Sequence, residues 1–206
     1  MSYKTIYDKA SDSFIVDKSE FIGYIAPVKT NEEAVEFIES VKAMNRKARH
    51  NCYAYVLRDG SITRYSDDGE PQGTAGPPIL DVIQKNGLSD VCIVVTRYFG
   101  GILLGKGGLT RAYSTGASIA VNAARLMIMN HAYELSIKIS YSLYDKVSYV
   151  LPDFEIKMLD TDYGTDVTIK LLVKEELCES LEAKLVDITN GQIALDKSDK
   201  IYADFA

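Results

Sequence analysis

The 206-residue sequence predicts an α+β protein built as two domains, and three observations carry that reading. Residues 134–206 alternate apolar and polar side chains in strand-length runs, interleaved with two helical segments. Val91–Thr96 is a continuous apolar run, which places a central strand in the first part of the chain. The third observation is a charge shift. Residues 1–133 carry 15 Lys+Arg against 14 Asp+Glu, whereas residues 134–206 carry 8 Lys, no Arg and 15 acids. Pattern and charge change together, so the expected domains are 1–133 and 134–206.

Taken in chain order, Ser13–Val16 and Phe21–Val28 read as a hairpin. Thr30-Asn-Glu-Glu33 is a capping box ahead of a helix whose buried stripe is Ala34, Phe37, Ile38 and Val41. Cys52–Leu57 and Ile62–Tyr65 are strands around an Asp59-Gly60 turn. On the first of them His50, Cys52, Ala54 and Val56 share one face, and Asn51, Tyr53, Tyr55 and Leu57 the other. A helix near Ile79–Lys85 precedes the central strand. A long helix over Leu109–Arg125 follows it, with Ala112, Gly116, Ala120 and Ala123 as a small-residue face for close packing. In the second domain Leu135–Tyr141 is a strand and Leu143–Leu151 a short helix stopped by Pro152. Phe154–Met158 and Val167–Val173 form a hairpin, Leu177–Leu185 a helix ending near Asn190-Gly191, and a last strand starts near Gln192. The order β-α-β-β-α-β is the split βαβ, or ferredoxin-like, arrangement.

Composition narrows the function classes. No apolar run approaches the roughly 18 residues of a membrane span, and the stretch MSYKTIYDKASDSF has no apolar signal core. A cytoplasmic protein is expected. The cysteines, Cys52, Cys92 and Cys178, form no C-x-x-C pair, and Cys52 and Cys92, in strand-like apolar runs, read as buried thiols. With only two histidines, neither a metal cluster nor a nucleophile–base pair is suggested, and no metal or cofactor is assigned.

Three stretches carry chemistry. Arg97-Tyr-Phe-Gly-Gly-Ile-Leu-Leu-Gly-Lys-Gly-Gly-Leu-Thr-Arg111 packs five glycines and three cations into fifteen positions. From Gly100 it spells G-x-x-x-x-G-K-G, but Gly107 stands where a P-loop needs a hydroxyl for Mg2+. Ile102, Leu103 and Leu104 are bulky side chains suited to docking into a core. A general anion site fits better: free N–H groups and a positive dipole at a helix starting near Gly108, with Arg97, Lys106 and Arg111 around it. The second stretch, Asp67-Asp-Gly-Glu-Pro-Gln-Gly-Thr-Ala-Gly-Pro-Pro78, fixes an unusual backbone path. Its Asp67, Asp68 and Glu70 are Mg2+-type ligands, though such a group is more commonly a hydrophilic turn. The third, Asn45-Arg-Lys-Ala-Arg-His-Asn-Cys-Tyr-Ala-Tyr55, supplies a basic patch of Arg46, Lys47, Arg49 and His50.

Together ARHNCYAY, DDGEPQGTAGPP and VVTRYFGGILLGKGGLTRAYSTGA resemble, in order and spacing, the signatures of the YigZ/IMPACT family. The resemblance implies a first domain like the second domain of a small-subunit ribosomal protein, with helices on one face of a sheet. It also implies a ferredoxin-like second domain similar to the last domain of the translocation elongation factor. Eukaryotic relatives regulate translation by competing for a scaffold that activates an initiation-factor kinase, using a further domain, and bacterial members have been proposed to bind nucleic acid.

The function expected is therefore a non-enzymatic regulator of translation or stress response that binds RNA or a ribosome-associated partner through a basic, glycine-rich cleft. Arg97, Lys106, Arg111, Arg49 and His50 would contact phosphates, Gly100, Gly101, Gly107 and Gly108 would shape the backbone, and Glu70 and Thr74 would line the cleft. The acidic second domain argues against an independent RNA binder there. The alternatives are an enzyme acting on a small phosphorylated or peptide-like substrate, with Glu70 or His50 as acid–base, and a protein–protein adaptor whose acidic domain meets a basic partner.

Overall fold

The computed structural model describes residues 2–58 and 62–205, so the Asp59-Gly60 turn lies outside the described residues. The chain divides into two compact units, one running from Tyr3 to Met127 and the other comprising Ser2 and the residues from Ile128 onward.

In the first unit, strands β2 (Ala10–Val16), β3 (Ser19–Pro27), β6 (Val91–Tyr98), β4 (His50–Val56) and β5 (Thr63–Ser66) form an antiparallel sheet in the order β2-β3-β6-β4-β5. The apolar run is its central strand, as expected. A short strand β1 (Tyr3–Ile6), not anticipated from the sequence, bridges Lys4 to Leu88. Helices α2 (Gly76–Lys85) and α3 (Gly105–Ala123) lie on one face, over Phe21, Ile25, Cys52, Ala54, Val91, Ile93 and Val95. Helix α1 (Asn31–Met44) covers the other face, where Ala26, Tyr55, Leu57, Cys92 and Val94 meet Phe37, Ile38 and Val41.

The α+β class holds, with one difference from the expectation of helices on one face. The five residues Val91–Val95 are all fully buried, so β6 is apolar on both sides and α1 must cover the second. Helix α1 begins as the capping box foretold: Thr30 Oγ1 accepts from Glu33 N–H at 3.2 Å, while Glu33 Oε2 accepts from Lys29 N–H at 2.6 Å. Helix α3 sits unusually close to the sheet. A Cβ at Gly116 would lie 2.7 Å from Val95 Cγ1, and one at Gly23 would run into the Gly116 carbonyl. The small-residue face is what allows that approach.

The second unit has strands β7 (Leu126–Ile139), β8 (Ile156–Tyr163), β9 (Val167–Lys174) and β10 (Ala194–Lys197), with helices α4 (Tyr141–Val150) and α5 (Glu175–Thr189). The order β10-β7-β9-β8 is that of a ferredoxin-like sheet, and a further strand β11 (Ile201–Asp204) also pairs with β7. Its core is Leu135, Ile137, Ile169, Leu171, Leu181 and Leu185 among others. The sequence pattern starts this strand at Leu135, but β7 begins at Leu126. The boundary expected at 133/134 therefore falls inside a continuous strand, and the compact units part six residues earlier, between Met127 and Ile128.

Candidate functional site

At one end of the first unit's sheet, β6 runs out and β4 begins, with His50 opposite Arg97 in register. Arg97 does not reach into solvent. It is 6% exposed, and its Nη1 donates to Glu70 Oε1 at 2.7 Å. The Tyr113 hydroxyl, from the third turn of α3, donates to the same oxygen at 2.9 Å. The Glu70 side chain is only 4% exposed. The Arg97 guanidinium carbon lies 5.5 Å from the Phe21 ring centroid and 5.3 Å from that of Phe99, and Phe21 in turn stacks on Phe14 at 5.4 Å. The Arg97 Nε is buried without a partner. Removing two charges from water is costly unless they answer each other, and here each is the other's principal partner. Burial, reinforced by Cys52 and Glu70, pushes the Tyr113 phenol well above its ordinary pKa, so it remains a donor.

The loop 67–75, which leads from β5 into α2, turns its carboxylates inward. Asp67 Oδ1 accepts from the N–H groups of Ala75 and Gly76 at 3.0 and 2.9 Å, and Oδ2 from Gly73 at 2.9 Å. Asp67 thereby caps α2, whose N-cap residue Ala75 has no side chain to do so. Burial works against its charge, but the N–H groups of Gly73, Gly76 and Ala75 outweigh it and hold the carboxyl below its ordinary value. Asp68 Oδ2 accepts from Asn51 N–H at 2.7 Å, and its carbonyl lies 2.9 Å from His50 Nδ1. Thr74 is buried, its hydroxyl donating to the Pro71 carbonyl at 2.6 Å. The three acids therefore face different partners. Among the described residues no group of His, Cys, Asp and Glu is arranged to hold a metal. Cys52 donates to the Asp67 carbonyl at 2.9 Å, and burial pushes its thiol up, as it does for Cys92 and, to about 11, for Cys178.

The glycine run contains glycines of different kinds. A Cβ on Gly100 would overlap the Lys18 carbonyl, and its N–H donates to Ser19 Oγ at 3.1 Å, so it seals the loop against the β2–β3 turn. Gly101 and Gly105 take φ of +88° and +67°, conformations that favour glycine. The turn at Gly105 starts α3 three residues before the expected Gly108. Lys106, Gly107 and Gly108 thus lie in the helix's first turn rather than in the loop before it. That turn has no side-chain cap and no acid. Gly107 is open, meeting only Arg111 Nη1 at 3.9 Å from a hypothetical Cβ, whereas Gly108 packs against Leu104.

Arg49, Lys106 and Arg111 are exposed, and none of them forms an ion pair among the described residues. Of the cations read from the sequence as phosphate contacts, then, Arg97 is committed to Glu70 and His50 faces a backbone carbonyl, while Lys106, Arg111 and Arg49 remain open. Ile102 and Leu103 were expected to dock into a core. Instead they are 41% and 87% exposed, and only Leu104 packs against it. Sequence reasoning missed two members of the site. Tyr113 carried a signal, one residue from Ala112 on the buried stripe of α3. The part-exposed position of Phe99 carried none.

The sequence profile of the Impact N-terminal domain matches residues 17–121, and that of a domain of unknown function (DUF1949) matches residues 137–192. The chain is 34% identical over 206 residues to the IMPACT family member YvyE of Bacillus subtilis (strain 168), covering 100% of this chain and 95% of that one. It is 34% identical over 183 residues to the IMPACT family member YigZ of Escherichia coli (strain K12), covering 87% and 90%. A Dictyostelium discoideum protein IMPACT homolog is 38% identical over 106 residues, 49% of this chain and 30% of that one. A solved crystal structure of a hypothetical protein, 32% identical, superposes with a TM-score of 0.62 over 94% of this chain and 96% of its own. With its first unit carrying the Impact domain and its full length matched by a bacterial relative, the chain belongs to the IMPACT family.

Proposed function

We propose that this protein is a cytoplasmic, non-enzymatic regulator of translation or stress response that binds RNA, or a partner associated with the ribosome, through its first unit. The observation that carries the proposal is the N-terminus of α3. It combines an uncapped first turn without acids, an open backbone at Gly107, and two exposed cations, Lys106 and Arg111, that form no ion pair among the described residues. N–H groups and dipole favour an anion there, and the cations add charge-assisted contacts. Arg49, exposed just ahead of β4, extends the cationic surface. Arg97, Glu70 and Thr74 act beneath the surface in this scheme, holding the loops that present it. The regulatory role follows what the family resemblance implies for translation. No helix among the described residues is long and apolar enough to cross a membrane.

The test is binding of a single-stranded RNA oligomer across a salt series. Lys106→Ala and Arg111→Ala should each weaken binding across sequences and reduce the slope of log affinity on log salt by about one. Unchanged affinity and slope in the double variant would remove the main support for the proposal.

A further inference from the structure

Phe99 is 54% exposed, yet it is not loose. Its inner side rests on the Arg97 guanidinium, 5.3 Å from the ring centroid. That guanidinium cannot easily yield, because Glu70 holds it at 2.7 Å and Phe21 backs it at 5.5 Å, with Phe14 stacked behind. The following residue, Gly100, is fixed against Lys18 and Ser19. The result is a column of flat groups, Phe14, Phe21, Arg97 and Phe99, whose last ring is more than half open. A pre-positioned aromatic with free surface is suited to receive another planar group.

The surroundings decide which planar group. From Phe99 to Arg111 there is no acidic residue, and the two cations, Lys106 and Arg111, are exposed and form no ion pair among the described residues. An arginine side chain from a partner would arrive among uncompensated positive charges, and a neutral aromatic would leave those cations unanswered. A planar group that carries negative charge answers both, and a nucleotide is such a group. The residues Gly100–Leu104 between ring and helix span at most about 18 Å, so one short strand can touch both.

Resting on the RNA-binding reading above, we propose that Phe99 is a stacking platform for an unpaired base of single-stranded RNA whose phosphates are held at Lys106 and Arg111. Arg97 is then a positioning residue. It touches no phosphate, and its burial against Glu70 sets the plane of the ring.

The experiment compares the full chain with Phe99→Ala, Phe99→Trp and Lys106→Ala/Arg111→Ala variants. Fluorescence anisotropy measures binding to a labelled twelve-residue oligoadenylate and to an abasic strand of equal length. Phe99→Ala should weaken oligoadenylate binding roughly 5- to 100-fold and leave the abasic strand unaffected, and Phe99→Trp should restore the difference. The Lys106/Arg111 variant should lose affinity for both strands. Equal losses on both strands in Phe99→Ala, or no loss on either, would overturn the platform. If the Lys106/Arg111 variant were still weakened in that case, the phosphate-binding reading would survive it. Displacement of oligoadenylate by an equal concentration of adenosine monophosphate would overturn the strand in favour of a free nucleotide. A wild-type chain that binds neither strand would overturn both readings.

Discussion

In the loop 67–75 every carboxylate is answered within the protein: Asp67 by three backbone N–H groups, Asp68 by Asn51, Glu70 by Arg97 and Tyr113. In the loop 99–104, with the helical turn that follows it, the reverse holds. Phe99, Ile102 and Leu103 are exposed, and Lys106 and Arg111 have no acidic partner among the described residues. Both loops are rich in glycine and looked equally like binding loops in the sequence. The first uses its polar groups to fix its own path and to hold Arg97, which supports the second. The second leaves apolar and cationic surface uncovered. A loop's content of charged residues therefore says little about its availability to a ligand, since the availability depends on partners far away in sequence.

The largest effect should come from cutting the connection between them. Glu70→Ala leaves the Arg97 guanidinium buried without its carboxylate, and should cost about 3–5 kcal/mol, measured by urea unfolding. A loss below about 1 kcal/mol would mean that Arg97 finds solvent without the pair.

Next comes a contrast between two glycines of the same run. Gly100→Ala drives a methyl into the Lys18 carbonyl and should destabilise by about 1–3 kcal/mol or more. Gly107→Ala meets open space in a helix and should stabilise by up to about 1 kcal/mol. Thermal melts of the two variants check the signs, and a matching sign would erase the distinction drawn between them.

A loss smaller than those at Glu70 and Gly100 belongs to Asp67. Asp67→Ala removes the cap of α2 and should cost about 0.5–2 kcal/mol at neutral pH. Because the native carboxyl titrates below its unfolded value of about 3.9, its contribution is complete above that value and disappears as pH falls through the lower native one. The stability gap between wild type and variant should thus be constant near neutrality and close in acid. A gap that widened on acidification would contradict the hydrogen-bonding scheme.

The frame of the fold was legible because it rests on local periodicity. The alternation His50/Cys52/Ala54/Val56 against Tyr53/Tyr55/Leu57 assigned both faces of β4 correctly, and Thr30 and Glu33 marked the start of α1. The site was legible only in outline. Arg97 beside glycines looks like a phosphate ligand until Glu70, 27 residues away, is brought against it. Leu103 looks like core until the turn at Gly105 points it outward. The role of Asp67 was likewise hidden, because a helix is usually capped by the residue next to it, and here the cap comes from eight and nine residues upstream. In each case the deciding contact is between residues too distant for a sequence pattern to join.

The close seating of α3 on the sheet has an evolutionary consequence. A Cβ at Gly23 would meet the Gly116 carbonyl and one at Gly116 the Val95 side chain, so Gly23 cannot accept even alanine unless the helix moves, and Gly116 cannot unless Val95 gives way. The two barriers differ: at Gly23 the obstacle is a backbone carbonyl, which no change of side chain removes, whereas at Gly116 it is the side chain of Val95. Gly23 is closed to stepwise drift, whereas Gly107, in the helix that covers it, is open to it. Descent could vary the first turn of α3, and with it the ligand it receives, while the place where that helix rests on the sheet stays where it is.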